Sequence, residues 1–310
     1  MIPYLEGAKN NKHKGDRVKI GFVGDLHGRV FHSLAVMAEW QIRYKEKLDL
    51  IIQVGDFGAY PEPSDELKEK RGYDLDPSQF DFSRHVKAKE PLANRLHDIR
   101  KYFVEPIYFI RGNHEDFNWL NRLCSESEQN TISIDPFDLF HYVKDGTVLE
   151  KEGKKIACLG GVQTPDKEDP RSINEDAYLN LLNYPPGEID ILVTHDAPYG
   201  ALTNQQGQKG GSKMLLTLIE TLKPKYMIGG HYHHMIGPMV FGETTYMGLN
   251  LIIYHRADEL GLVKPGSFGI LDMSKDEINF VTDAWLSEFD KRLDFIHYCE
   301  KLQKSASVPL

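Results

Sequence analysis

Five short turns carry residue types that could bind metal ions and move a proton. Each turn directly follows a short apolar run, and glycine recurs in them, which suits a backbone that bends sharply or approaches an ion closely. The candidates among their side chains are two carboxylates, one amide and five imidazoles, enough for two adjacent metal ions and a proton donor. The turns are Gly24-Asp25-Leu26-His27-Gly28, Gly55-Asp56-Phe57-Gly58, Gly112-Asn113-His114-Glu115, Thr194-His195-Asp196 and Gly230-His231-Tyr232-His233-His234.

The ligand types indicate which ions could bind. Oxygen and imidazole nitrogen without a thiolate suit Mn, Fe, Zn or Ni as two divalent or trivalent ions, with Mn favoured, and fit a pure Ca or Mg site poorly. Two neighbouring cations repel each other, and a shared carboxylate lowers that cost, which makes Asp56 the natural bridge. A bridging water acidified to hydroxide could then attack phosphorus while both ions polarise a phosphoryl oxygen.

The elements that must position these turns alternate between strands and helices. Apolar residues at helical spacing predict helices at 30–47, 91–103 and 211–222. Buried strands are predicted at 18–23, 50–54, 106–110, 155–159, 189–193 and 226–228. This alternation predicts βαβ units and a largely parallel sheet. In such sheets, functional groups gather at the carboxyl ends of the strands, so distant turns can converge.

The C-terminal half has a different pattern. Short strands separated by Gly, Asn, Pro or Asp favour a more antiparallel second sheet, and a closing helix is predicted at about 284–303. The short strands are predicted at 148–149, 240–241, 249–254, 268–271 and 278–281.

The domain organisation follows from these patterns. We interpret the chain as a polar leader at 1–17 followed by a single domain at 18–310. The 56 residues between Asp56 and Asn113 exceed what one strand–helix–strand unit needs, which predicts an insertion at about 60–90. That insertion is either a plain surface excursion or a cap that shapes the substrate site.

Composition limits the class of protein. The 310 residues are 41% hydrophobic, which is enough for a sizeable core, and the formal net charge is −9 with both signs mixed. This balance argues against a general nucleic-acid coat but leaves a local basic groove open. Three distant cysteines favour a reducing cytoplasm over a disulfide framework. No run approaches the ~18 apolar residues of a membrane span, so we expect no membrane partner.

The ordered turns resemble the signature of the calcineurin-like metallophosphoesterase superfamily over about 18–235. That signature is Asp-x-His, Gly-Asp, Gly-Asn-His-Glu, a later His and Gly-His-x-His. The resemblance implies an α/β fold, a four-layer α/β/β/α sandwich with two facing mixed β-sheets. The residues it assigns are Asp25, His27 and His233 at the first metal, Asn113, His195 and His231 at the second, Asp56 as the bridge, and His114 as the catalytic histidine near the leaving-group oxygen.

One position departs from the family pattern. Many members extend the second motif to Gly-Asp-x-x-Asp, whose last Asp helps orient the catalytic histidine, and this chain has Ala59 there. Glu115 or a backbone carbonyl would then have to hold the His114 ring. Arg111 and His234 are further candidates for contact with the substrate, although Arg111 could equally be an ordinary strand-end arginine.

These observations predict hydrolysis of a phosphate ester, a diester in preference to a monoester, by a metal-bridging hydroxide with His114 as general acid. Several stretches also resemble RNA lariat debranching enzymes, although that subgroup typically carries Cys in place of Asp25. A nuclease or debranching-type enzyme acting on nucleic acid is therefore the alternative. A non-catalytic scaffold that binds protein partners is a third reading, but such drift should have erased ligands or His114, and all are present.

Overall fold

Strands and helices alternate along most of the computed structural model, which describes residues 18–203, 206–254 and 260–306. The helices are α1 (Val30–Tyr44), α2 (Asp65–Arg71), α3 (Asp81–Val86), α4 (Leu92–Arg100), α5 (Phe117–Glu126), α6 (Glu175–Leu182), α7 (Lys213–Leu222) and α8 (Phe295–Ala306). The strands are β1 (Lys19–Val23), β2 (Leu50–Gln53), β3 (Ile107–Phe109), β4 (Thr131–Ser133), β5 (Phe140–Val143), β6 (Val148–Lys151), β7 (Lys154–Leu159), β8 (Ile191–Thr194), β9 (Leu202–Thr203), β10 (Lys209–Gly210), β11 (Tyr226–Gly229), β12 (Ile236–Phe241), β13 (Thr244–Gly248), β14 (Phe268–Asp272) and β15 (Glu277–Phe280).

Most strands belong to two mixed sheets. The first sheet has the order β15-β14-β1-β2-β3-β5-β4, and the second has the order β12-β13-β11-β8-β7-β6. Strands β1, β2, β3 and β5 run parallel, as do β7, β8, β11 and β13, and antiparallel strands lie at the edges. The expectation of a more antiparallel second sheet is wrong, because β14 and β15 return to the first sheet, where β14 pairs with the open side of β1.

Three apolar layers hold the sheets and helices together. Helices α1, α4, α5 and α8 pack on the first sheet through residues such as Leu34. The two sheets pack on each other through side chains such as Phe22 and Ile228. Helices α6 and α7 cover the second sheet through residues such as Leu218. The order of layers is therefore α/β/β/α, which confirms the predicted four-layer sandwich with two facing mixed sheets.

The predicted closing helix at about 284–303 is wrong as one continuous element. A 3₁₀ turn at Ala284–Glu288 is followed by extended backbone, and α8 begins only at Phe295. The break has a physical cause. Val263 donates its N–H to the carbonyl of Phe289 at 2.9 Å, and Lys291 donates its N–H to the carbonyl of Gly261 at 2.8 Å. The chain at 289–291 thus pairs with 261–263 instead of continuing a helix.

The predicted strand at 249–254 is also wrong, because β13 ends at Gly248. Residues 249–253 form a segment that is buried and apolar except at Asn250, and its N–H groups bond to the end of a strand and to a turn. Leu249 donates to the carbonyl of Gly229 at 2.8 Å, and Ile252 donates to that of Asp25 at 2.9 Å. The segment covers the ends of β1 and β11. Its N–H groups satisfy backbone carbonyls there instead of pairing with a neighbouring strand.

The insertion at 60–90 packs directly against the turn after β1. It contains α2, a 3₁₀ turn at Pro77–Phe80 and α3. The fully buried Arg29 donates to the Oδ2 atom of Asp76 at 2.6 Å. A Cβ atom on Gly28 would lie 2.0 Å from the carbonyl oxygen of Gln79, so only glycine permits this approach. The insertion is therefore fixed to the segment that carries His27.

Two other expectations concern the N-terminal residues and membrane-spanning segments. The proposed polar leader at 1–17 lies outside the described residues. Within 18–203, 206–254 and 260–306, none of the helices combines the length and the apolar character that crossing a bilayer requires.

Candidate metal centre

The five chemistry-bearing turns follow the carboxyl ends of five parallel strands. Because parallel strands end at the same edge of a sheet, and the two sheets face each other, the turns meet at one site. The side chains involved are Asp25 and His27 after β1, Asp56 after β2, Asn113 and His114 after β3, His195 after β8, and His231 and His233 after β11.

One group of four side chains combines residues from both sheets. Asp25, His27, Asp56 and His233 each offer a ligand atom, and these atoms all lie within 4.8 Å of one another. The Nε2 atom of His233 lies 3.2 Å from Oδ2 of Asp25, and that of His27 lies 3.8 Å from Oδ2 of Asp56. The first three side chains are buried, so the group opens to solvent on the His233 side.

A second group shares Asp56 with the first. Ligand atoms of Asp56, His195 and His231 also lie within 4.8 Å of one another. The Nε2 atom of His195 lies 3.3 Å from Oδ1 of Asp56 and 3.0 Å from Oδ1 of Asn113. On its other side, the His195 Nδ1 atom donates to the carbonyl of Val54 at 3.0 Å. This bond sets the ring orientation and directs Nε2 towards Asp56.

Asp56 occupies the junction of the two groups in a strained backbone conformation, with φ at 52°. Its Oδ1 atom accepts the backbone N–H groups of Asn113 at 2.7 Å and His114 at 2.8 Å. Its buried Oδ2 atom has no hydrogen-bond partner among the described residues. An unpaired buried carboxylate oxygen is costly unless a cation neutralises it. A cation between the two groups would remove that cost.

Glycines allow the turns to come this close. A Cβ atom on Gly112 would lie 2.2 Å from Oδ1 of Asp56, and one on Gly230 would lie 2.3 Å from Oδ1 of Asp25. Nonbonded contacts this short are not tolerated between a Cβ atom and an oxygen. The absence of a side chain on each glycine therefore leaves the space that the neighbouring carboxylate occupies.

Burial and neighbouring charges shift the pKa values of these side chains in different directions. Burial holds the pKa of His27 well below its ordinary value, which favours the neutral imidazole that binds metals. Burial alone would raise the pKa of Asp56, but the adjacent His195 outweighs it and keeps that carboxyl ionised. Burial lowers the pKa of His195, whereas the Asp56 charge outweighs that effect and raises it to about 10. A cation bound here would displace the His195 proton.

The residues present therefore fit a pair of divalent cations. The donors are carboxylate, amide and imidazole groups, one carboxylate is common to both groups, and one of its oxygens is buried without a hydrogen bond. The sequence-predicted ligands come together as a set. Their coordination roles remain a prediction.

Glu115 does not orient His114. Its buried carboxylate accepts three backbone N–H groups instead, from Phe57 at 2.8 Å, Ala59 at 2.7 Å and Gly112 at 3.2 Å. These bonds fix the turn that carries Asp56, so the expectation for Glu115 is wrong. Burial and the nearby Asp56 charge raise the pKa of the Glu115 carboxyl to about 7.

His114 lies at the exposed side of the site. The centre of its ring is 5.3 Å from that of His27. An Nη2 nitrogen of Arg71 lies 3.4 Å from its Nδ1 atom. Sequence reasoning did not find Arg71, because a single arginine in a charged stretch with Lys68 and Lys70 carries no distinguishing pattern.

Arg111 is held by three partners within the protein, and its contact with the substrate stays a prediction. Its Nε atom donates to Asp145 at 2.7 Å, Nη1 to the carbonyl of Pro170 at 2.8 Å and Nη2 to that of Ser172 at 2.6 Å. Every guanidinium nitrogen is thus engaged, and the residue ties the 160–172 loop to the end of β3.

His234 lies beside the first group on the exposed surface. Its Nδ1 atom donates to the carbonyl of Tyr232 at 2.7 Å. A contact between His234 and substrate stays a prediction.

The comparison with known families agrees with this geometry. A protein-family sequence model described as calcineurin-like phosphoesterase matches residues 18–235. This range contains every residue of the candidate metal centre. The chain belongs to the calcineurin-like phosphoesterase family. This membership confirms the resemblance read from the five turns, and with it the expectation of a hydrolase of phosphate esters at the level of the family.

The curated relatives share modest sequence identity with this chain, over part of their length. UPF0046 protein K07C11.7 of Caenorhabditis elegans is 34% identical over 171 residues, covering 54% of this chain and 59% of that protein. A lariat debranching enzyme of Entamoeba histolytica is 24% identical over 273 residues, covering 77% of this chain and 70% of that protein. The chain thus spans about half to three fifths of the length of three relatives that it matches over long stretches.

One solved structure shares the fold. It aligns over 85% of this chain and 98% of its own, with a TM-score of 0.52 and 15% sequence identity. At that identity the likeness supports the architecture alone.

Proposed function

We propose that this protein hydrolyses phosphate esters, with diesters preferred over monoesters, at the candidate metal centre. The observation that carries the proposal is the arrangement of two ligand groups around one shared carboxylate, Asp56, with His114 alongside. Two Mn ions are the favoured occupants, although Fe, Zn or Ni would suit the same donors. The proposed ligands are Asp25, His27 and His233 for one ion, Asn113, His195 and His231 for the other, and Asp56 for both.

Each part of the site has a distinct task in this proposal. When bound, the cations would acidify a water molecule and polarise a phosphoryl oxygen. Asp56 presents its free Oδ2 atom, while two backbone N–H groups hold Oδ1 in place. His114, whose side chain reaches solvent, donates a proton to the departing oxygen of the ester. The ligands are mostly buried and His114 is exposed, so the leaving group is on the solvent side.

The test exploits the dependence of general acid catalysis on the leaving group. An alkoxide needs a proton in order to depart, whereas a nitrophenolate hardly does. In Mn-loaded protein, His114→Ala should lower kcat by about 10²- to 10⁴-fold on an alkyl diester. The loss on bis-nitrophenyl phosphate should be much smaller, and the metal content should not change.

A matched control is His297→Ala, which removes an exposed histidine from α8. This variant should behave like the wild-type protein on both substrates. Equal losses on both substrates for His114→Ala would remove His114 from the acid role, and a protein that binds no metal would refute the proposal as a whole.

A nucleic-acid substrate is the second candidate. It is supported by the similarity to lariat debranching enzymes, which extends over 77% of this chain for the Entamoeba histolytica protein. The net charge of −9 does not favour it. Cleavage of a branched RNA at a higher kcat/KM than bis-nitrophenyl phosphate would favour the nucleic-acid reading, and the reverse order would favour a small diester.

We also propose that the protein is cytoplasmic. The three cysteines are unpaired, and Cys158 and Cys299 are buried thiols. Fluorescence microscopy of the tagged protein would check this.

A further inference from the structure

Arg71 reaches the candidate metal centre from outside the five turns. It is the last residue of α2, in the insertion, and the helix ends there because Gly72 adopts the left-handed conformation with φ at 71°. The backbone carbonyl of Arg71 accepts a hydrogen bond from the Gln79 side chain at 3.0 Å. Gln79 in turn packs on Gly28, next to His27. The position of Arg71 relative to the ligands is thus set by the insertion's contact with the site.

Tyr60 supports the Arg71 guanidinium. The guanidinium carbon lies 5.0 Å from the centre of the Tyr60 ring, which is a cation–π geometry. Tyr60 itself follows the Asp56 turn, where its N–H donates to the carbonyl of Gly58 at 2.8 Å. The turn that carries the shared carboxylate therefore also carries the surface on which Arg71 rests.

Arg71 differs from other cations of the insertion in its partners. Lys68 pairs with Asp65, Arg84 with Asp81 and Lys87 with Glu62. Within the described parts of the chain, Arg71 forms no ion pair with a carboxylate; its nearest polar partner on the site side is Nδ1 of His114, at 3.4 Å. A guanidinium without a carboxylate, held beside a site for phosphate esters, suits a phosphoryl oxygen, because its planar donors match that group.

We propose that Arg71 binds a phosphoryl oxygen of the substrate beside His114. This inference rests on the proposed function and adds a residue that the five turns do not contain. The oxygen belongs either to the phosphate that is cleaved or to a second phosphate on the same substrate, and the experiment separates the two sources.

Binding is measured first, with inorganic phosphate as the probe. In Mn-loaded protein, Arg71→Ala should raise the Kd for phosphate by about 10- to 100-fold in calorimetry, since a charge-assisted hydrogen bond is lost. Arg71→Lys should give an intermediate value, because the charge stays while the planar fork is lost. Lys68→Ala is the matched control: it removes a cation from the same helix, and its Kd should equal that of the wild-type protein.

Kinetics then identify the source of the oxygen. If Arg71 binds the phosphate that is cleaved, Arg71→Ala lowers kcat/KM equally on bis-nitrophenyl phosphate and on a dinucleotide with a terminal phosphate. If it binds a second phosphate, the loss is confined to the dinucleotide with the terminal phosphate and is absent when that phosphate is removed. Either pattern supports the proposal.

Two outcomes would overturn it. An unchanged Kd for phosphate together with unchanged kinetics shows that Arg71 makes no substrate contact. A loss on alkyl esters that is absent on nitrophenyl esters, with an unchanged Kd, shows that Arg71 acts only by positioning His114. Melting temperature and metal content confirm that each variant is folded and loaded. If the wild-type protein itself neither binds Mn nor cleaves esters, the failure belongs to the proposed function and not to Arg71.

Discussion

The sheet-edge turns and the insertion at 60–90 meet at the same site, but they differ in burial and in the contacts that hold them. The turns bury Asp25 and Asp56 completely and close around them with glycines and backbone hydrogen bonds. The insertion brings α2, which has no buried residue, and is attached by the ion pair between Arg29 and Asp76. The difference teaches that the rigid layers hold the proposed metal ligands, while the attached segment carries Arg71, the proposed contact to the substrate.

The largest effect should come from Asp56→Asn, because Asp56 belongs to both ligand groups. The amide oxygen can still accept the two N–H groups that Oδ1 accepts, so the turn should stay folded. Metal affinity should fall by more than the ~10- to 100-fold that follows loss of an outer-shell partner. Metal analysis and turnover with bis-nitrophenyl phosphate are the measurements.

Asp25→Asn sharpens this test, since Asp25 belongs to the first group alone. It should retain one ion per chain, whereas Asp56→Asn should retain neither. Full turnover by Asp56→Asn would contradict the proposed centre.

A large loss of stability without loss of metal is expected for Asp76→Asn. The change leaves the buried Arg29 charge without its carboxylate, and breaking a buried pair costs about 3–5 kcal/mol of unfolding free energy. The folded fraction should bind Mn normally but show a raised KM. Urea unfolding and metal analysis check this. Asp65→Asn, which changes a fully exposed carboxylate paired with Lys68 on α2, is the control that should change neither quantity.

The layer between the sheets can be compared with an outer layer through two matched isoleucines. Ile228 lies between the sheets, three residues before His231, and Ile219 lies on α7 against the outer face of the second sheet. Each change to Ala should lower the unfolding free energy by about 2–5 kcal/mol. Only Ile228→Ala should also weaken Mn binding, measured by titration, because the ligand groups combine residues of both sheets. Equal Mn affinities would argue that the turns hold their positions without the inter-sheet packing.

The smallest effect is expected for Arg111→Lys. A lysine keeps the charge near Asp145 but not the bonds to both Pro170 and Ser172. We expect a loss of about 1–3 kcal/mol in unfolding free energy, with KM unchanged, because partners within the protein engage all three guanidinium nitrogens. A raised KM in thermally stable Arg111→Lys protein would support the predicted contact between Arg111 and the substrate.

The architecture and the convergence of the candidate ligands could be predicted from the sequence because both depend on repeated local signals. Apolar runs followed by Gly-Asp or Gly-Asn-His identify a strand and the turn at its carboxyl end together, and β1, β2 and β3 all follow this pattern. The pairing of β14 with β1 was not predictable in this way, because no local signal states which strand a late apolar run will join.

The rest of the site depended on contacts between segments far apart in sequence. Glu115 looked available to His114, yet three N–H groups of nearby turns occupy its oxygens. Arg71 gave no signal, since its position comes from how the insertion docks on Gly28. The prediction of a closing helix was wrong for the same reason. The apolar spacing is helical, but backbone pairing of 289–291 with 261–263 interrupts the helix.

The place of β14 in the first sheet has a consequence for how the chain is made. Lys19 on β1 is paired with Asp272, 253 residues later, so one long side of β1 has no neighbour until β14 has left the ribosome. Unpaired strand edges are the usual starting points for aggregation. A shortened version ending at residue 235, where the family match ends, would contain every proposed ligand and still expose this edge to other nascent chains.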